Sequence, residues 1–209
     1  MRKTINVLVL AALAAFTFLL PAVGQAVEPP PGQDRFGIYT AEHFDDPLMD
    51  DHLPVAGPSG TLYNFPFIIT GMTAPSCRCV EFIVTHDPGI AFSGFTWNQN
   101  NIDIDSSPTG VIAGFAEPAI PVYDGTDYAF VGTADILVFT DQPVLIYLNP
   151  HTTPSIPGFM TYCNGLDIGD LKEVLPSSGA FELPIFGINT DVQVRAESAT
   201  WSSVKDLFR

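Results

Sequence analysis

The sequence predicts an all-β protein, an antiparallel β-sandwich. Short runs of apolar, β-branched and aromatic residues recur at near-regular spacing between clusters of Gly, Pro, Asn and Asp. In the clearest run, Val80, Phe82 and Val84 alternate with Glu81, Ile83 and Thr85. Period-two alternation means one buried face and one partly wet face. Helical periodicity is scarce, which favours sheet packed on sheet.

The elements follow in order. Residues 1–26 read as a secretory signal peptide: Arg2 and Lys3 form the basic start, 5–20 is apolar but for Asn6 and Thr17, and Gly24 and Ala26 supply the small-x-small cleavage pattern. That run is short of the ~20 apolar residues a bilayer span requires. Residues 27–33 form a Pro-rich extended leader. The sandwich is expected over 34–196, with strands at 35–40, 61–70, 79–86, 90–97, 110–115, 128–139, 144–148, 183–188 and 192–196. Asp87-Pro88-Gly89 is a turn signal, Pro presetting φ and Gly accepting positive φ, and is expected to close a hairpin between 79–86 and 90–97. Residues 167–175 suggest one or two helical turns stopped by Pro176. Residues 197–209 predict a linker and a short amphipathic helix: Val204, Leu207 and Phe208 share a face, with Lys205 and Arg209 near the C-terminal end.

Composition narrows the function classes. The chain of 209 residues carries 8 Lys+Arg against 23 Asp+Glu, a formal charge of −15. Signal cleavage would remove two basic residues and no acidic one, leaving about 183 residues at −17. Without a basic block, binding to nucleic-acid phosphates is not expected. The sequence contains no Gly-x-Ser-x-Gly elbow, no His-Glu-x-x-His and no glycine-rich phosphate loop. His86 and Asp87 are adjacent, but neighbours on a strand point to opposite faces.

The stretch 80–88 (VEFIVTHDP), followed by Gly94-Phe95, resembles the strand–turn–strand unit of cohesin-type and related Ig-like extracellular domains. Segments 36–39, 134–138, 145–150 and 200–209 also resemble a set of uncharacterised proteins exported by environmental bacteria. The resemblance implies an exported Ig-like or cohesin-like sandwich and brings no catalytic residue with it.

Several residues stand out as candidate sites. Cys77, Cys79 and Cys163 all lie beyond the signal, in a compartment that permits disulfides. Cys77 and Cys79 are expected on the same side of a strand, so either could face Cys163. We expect a Cys79–Cys163 bridge, with Cys77 as the alternative partner, and an odd count leaves one thiol over. Asp45, Asp46, Asp50 and Asp51, between His43 and His52, could offer oxygen ligands to Ca²⁺, as could Asp103 and Asp105 in the Asx-rich segment 98–105. Solvated acidic loops and Asx-rich turns are the preferred reading of both clusters over a Ca²⁺ site, and no other cofactor is expected. Trp97 is the aromatic best placed to stack on a sugar, with Trp201, Tyr63, Tyr123 and Tyr128 as further planar rings.

The sequence therefore points to an exported, non-enzymatic β-sandwich, secreted, periplasmic or on the cell surface. It would act as an interaction or structural module with a protein or glycan partner. A carbohydrate-binding protein and a secreted hydrolase are the alternatives.

Overall fold

The computed structural model describes residues 33–40, 52–105, 107 and 109–190. The expected signal peptide, strand 192–196 and C-terminal helix lie outside the described residues, as do Asp45, Asp46, Asp50, Asp51 and nearly all of the leader.

The described chain is built from strands: β1 (Arg35–Ile38), β2 (His52–Leu53), β3 (Thr61–Thr70), β4 (Ser76–His86), β5 (Ile90–Trp97), β6 (Asn101–Asp103), β7 (Gly110–Phe115), β8 (Ile120–Pro121), β9 (Ala129–Val138), β10 (Val144–Asn149), β11 (Met160–Asn164), β12 (Asp167–Pro176) and β13 (Phe186–Ile188). One layer has the order β1-β3-β9-β5. The other centres on β4, which pairs with β10 and β11 along one edge and with β7 and β8 along the other. β13 and β2 extend it beyond β10, and β6 extends it beyond β7. β12 joins the layers, antiparallel to β11 and then parallel to β1. The β1–β12 and β13–β2 contacts are parallel, so the sandwich is not purely antiparallel as expected.

Two local expectations are corrected. Residues 167–175 are strand, not helix, because β11 and β1 supply ladder partners that outweigh a weak local pattern containing Gly169. The Asp-Pro-Gly turn is real, with Gly89 at φ 114°, but it closes no hairpin. β4 pairs with β10 in one layer and β5 with β9 in the other, so the turn carries the chain between layers. Asp87 fixes that crossing: its N–H donates to Leu145 O, and its Oδ2 accepts the Leu145 N–H, both at 3.0 Å.

The core lies between the layers. Phe82 of β4 is fully buried and meets Phe67 of β3 at 4.9 Å, Phe95 of β5 at 5.3 Å and Phe36 of β1 at 5.4 Å between ring centroids. Phe65 and Phe186 continue the contact at 4.6 Å. Each such ring contributes about 1.5–3 kcal/mol by burial.

A buried polar knot ties the first strand to this core. Asp34 accepts hydrogen bonds from Thr73 N–H at 2.8 Å and Thr73 Oγ1 at 3.0 Å, and from the Tyr162 hydroxyl. Tyr162 in turn accepts the Ala74 N–H at 3.2 Å. Burial raises the Asp34 carboxyl above its ordinary 3.8, outweighing the bonds that favour the carboxylate.

Candidate functional site

The cysteines locate the first feature. In the β4–β11 ladder Cys79 lies opposite Cys163, but Cys77 lies opposite Asn164, so Arg78 is one extra residue on β4. This bulge turns Cys77 and Cys79 to opposite faces, contrary to the same-side expectation. Cys79 and Cys163 form the disulfide on the outer face, with Cα atoms 5.1 Å apart. Cys77 is a free thiol in the core; its Sγ donates to Cys79 O at 3.3 Å, and burial raises its pKa strongly. Arg78 itself pairs with Glu117.

The register places the disulfide in a transverse row. Ile102 of β6 lies opposite Gly114 of β7, Gly114 opposite Cys79, Cys79 opposite Cys163, and Cys163 opposite Leu171 of β12. Ile102 is 74% exposed, its neighbour Ile104 is 72% exposed, and Leu171 is 36% exposed. A Cβ at Gly114 would meet nothing within 4 Å, so the row is notched beside the disulfide. The outer face of β6-β7-β4-β11-β12 thus presents apolar side chains at both ends of a disulfide-braced strip.

β6 has its polarity reversed. Asn101 and Asp103 lie opposite Phe115 and Ala113, which face the core, while the isoleucines take the solvent side. Asn101 and Asp103 therefore project toward the gap between the layers. There they line a groove of about 470 Å³ whose other wall is β5, with Phe95 and Trp97.

The predicted site residues are distributed as follows. Asp103 Oδ1 accepts the N–H groups of Asp105 at 3.1 Å and Ile112 at 3.2 Å. Asp105 accepts the Ser107 N–H at 2.7 Å and meets His151 Nε2 at 2.7 Å; these two bonds, Ser107 first, lower its carboxyl below 3.8. His151 Nδ1 accepts from the Thr153 N–H at 3.2 Å, which leaves the proton on Nε2 for Asp105. The pair joins the segment after β6 to the loop between β10 and β11. That loop is fixed again by Ser155, whose N–H donates to Glu81 at 2.7 Å. Among the described residues, no three His, Cys, Asp or Glu side chains form a metal-binding group.

Trp97 is half-buried, stacked on Phe95 at 4.8 Å and tilted against Phe115 at 5.4 Å. The other rings are apart from it: Tyr63 stacks on Phe65, and Tyr123 on Tyr128. Trp201 lies outside the described residues. His86 Nδ1 contacts Asp87 O at 2.8 Å rather than a carboxylate. Sequence reasoning missed the groove and the reversed strand: the Asn101-Ile102-Asp103-Ile104 alternation signals a strand, but its pairing with β7 decides which face turns inward.

The architecture defines an all-β, two-layer protein joined through a shared strand, and no described helix is long and apolar enough to cross a membrane. Solved cohesin modules resemble it in structure. The sixth cohesin of scaffoldin B from Acetivibrio cellulolyticus, solved with a Cel5 dockerin, is 12% identical, with a TM-score of 0.44 over 76% of this chain and 99% of that one. A type II cohesin domain from the cellulosome of the same organism is 12% identical, with a TM-score of 0.44 over 77% and 97%. A cohesin module from a Clostridium perfringens family 33 glycoside hydrolase is 9% identical, with a TM-score of 0.44 over 68% and 90%. No family model and no curated protein matches the chain.

Proposed function

We propose that this protein is an exported, non-enzymatic interaction module that docks a partner protein on the outer face of β6-β7-β4-β11-β12. The observation that carries the reading is the row Ile102–Gly114–Cys79/Cys163–Leu171, whose apolar ends Ile102 and Leu171 are exposed. Large aliphatic side chains on the solvent face of an edge strand cost solubility and increase the aggregation hazard unless a partner covers them. The disulfide supports the role by holding β11 to β4 beneath the docking surface.

The test is cross-linking and pull-down from the producing cell's extracellular fraction, comparing the protein with the Ile102→Asp/Ile104→Asp variant. Both side chains are exposed, so the melting temperature should hold while the captured partner is lost. Equal capture by the variant would remove this face from consideration. Turnover in a panel of polysaccharide and ester substrates would favour the hydrolase alternative instead.

A further inference from the structure

The second feature lies across β6 from the proposed docking face, in the groove between β5 and β6. Among the described residues β5 pairs only with β9, and β6 only with β7, so each presents one unpaired edge.

The ladder phase shows which groups of β5 face that edge. The Asn98 N–H bonds Val131 O at 2.9 Å, and the register from Gly94↔Asp135 to Trp97↔Gly132 is unbroken. Bonded and non-bonded positions alternate along an antiparallel ladder. Gly94 and Thr96 therefore bond β9, whereas the N–H and C=O groups of Phe95 and Trp97 point away from it, toward the groove. Four main-chain polar groups thus line one wall at strand spacing. The side chains of Phe95 and Trp97 extend that wall inward, and Asn101 and Asp103 form the other. Among the described residues that line the groove Asp103 is the only charged one, and the bonds it accepts from the Asp105 and Ile112 N–H groups both use Oδ1.

We propose that this groove binds an extended peptide segment that adds as a strand to the free edge of β5 and directs an arginine at Asp103. Main-chain pairing to Phe95 and Trp97 supplies register, as in other strand additions. Residues opposite Phe95 and Trp97 turn their side chains inward, where a guanidinium reaches the Asp103 carboxylate and its stem lies on the aromatic wall. Charge complementarity selects the occupant: among the described residues the groove lining has an acid and no base, in a chain of net charge −15.

The probe is the peptide acetyl-Val-Thr-Arg-Thr-Val-amide, titrated into the ¹⁵N-labelled protein. Binding should slow amide exchange at Phe95 and Trp97, while Gly94 and Thr96, already bonded to β9, change little. The same peptide N-methylated at arginine should lose binding. Asp103→Asn keeps Oδ1 as the acceptor for Asp105 and Ile112 but removes the charge, and should weaken binding about tenfold. Absence of binding up to millimolar peptide, or equal binding of the N-methylated form, would overturn the proposal. So would protection at Phe95 and Trp97 that rises with protein concentration alone, since the occupant would then be a second copy. None of these readouts involves Ile102 or Ile104, so failure here leaves the outer-face reading standing.

Discussion

Removing the Cys79–Cys163 bridge by a Cys79→Ala/Cys163→Ala double variant gives a quantitative test of how this sandwich is held together. The bridged residues are 84 apart in sequence, and the loop they close contains β5 through β10. In the native state the bridge adds little geometry, because β11 is already laddered to β4 and to β12. Its effect therefore falls mainly on the unfolded chain, where closing a loop of this length is worth about 4.5 kcal/mol on the chain-entropy model. That is a large share of a typical total stability of about 5–15 kcal/mol.

The assay is urea unfolding of the oxidised protein, the reduced protein and the double variant. The two uncrosslinked forms should unfold at a lower midpoint, with a larger m-value because their unfolded chains expose more surface. Reduced wild type separates the crosslink from the small packing change at Cys163, which is almost fully buried. A loss below about 1.5 kcal/mol in both uncrosslinked forms, with an unchanged m-value, would refute the assignment of the effect to the unfolded state.

Other perturbations probe the core and the buried polar groups. Phe82→Ala removes the ring that meets three others and should cost about 3–5 kcal/mol in denaturant unfolding. Tyr162→Phe deletes the hydroxyl shared by Ala74 and Asp34 and should cost about 1–3 kcal/mol by the same assay. Asp34 has a raised folded-state pKa, so its contribution is fully present below its unfolded value near 3.8 and is lost as pH rises through the folded value. Asp34→Asn keeps an oxygen for the Thr73 N–H, so the stability of wild type relative to this variant should fall as pH rises from 4 toward neutrality. Cys77 should resist alkylation in the folded protein and react only in denaturant, as mass spectrometry would show.

Where strand pattern and turn chemistry coincide, sequence and structure agree residue for residue: 61–70, 90–97 and 110–115 are β3, β5 and β7 with those ends. Each run has Gly, Pro or Asn within three residues of both ends, and side-chain alternation is a local property that survives whatever partner the strand acquires. Most of the failures are pairings. The bulge at Arg78 depends on where β11 sits, and it decides which cysteine reaches Cys163. The crossing at Asp87 depends on β10 taking the edge of β4 that a hairpin with β5 would have used. β12 is strand because β11 and β1 flank it, although its own sequence also supports a turn of helix. β11, with Met160, Thr161, Tyr162 and Cys163 all buried, has no alternation for a pattern search to find.

β6 shows what this implies for the candidate site. Read alone, Asn101-Ile102-Asp103-Ile104 is an ordinary alternating strand that should bury its isoleucines. Pairing with β7 fixes the opposite outcome, because Asn101 and Asp103 stand in register with core-facing Phe115 and Ala113. A one-residue slip would bury Ile102 and Ile104 and turn the two polar residues to solvent, a change the hydrophobic effect alone would favour. The register is held against that slip by the bonds from the Ile112 and Asp105 N–H groups to Asp103 Oδ1. The Asp105–His151 pair supports it further by tying the next residues to the loop between β10 and β11. One short strand thus offers an apolar outer face to a partner and an acidic inner face to the groove. Asp103→Ala should release both together, by freeing β6 to shift its register, whereas Asp103→Asn should weaken the groove alone. Retention of amide protection across β6 in Asp103→Ala would show that the carboxylate does not set the register.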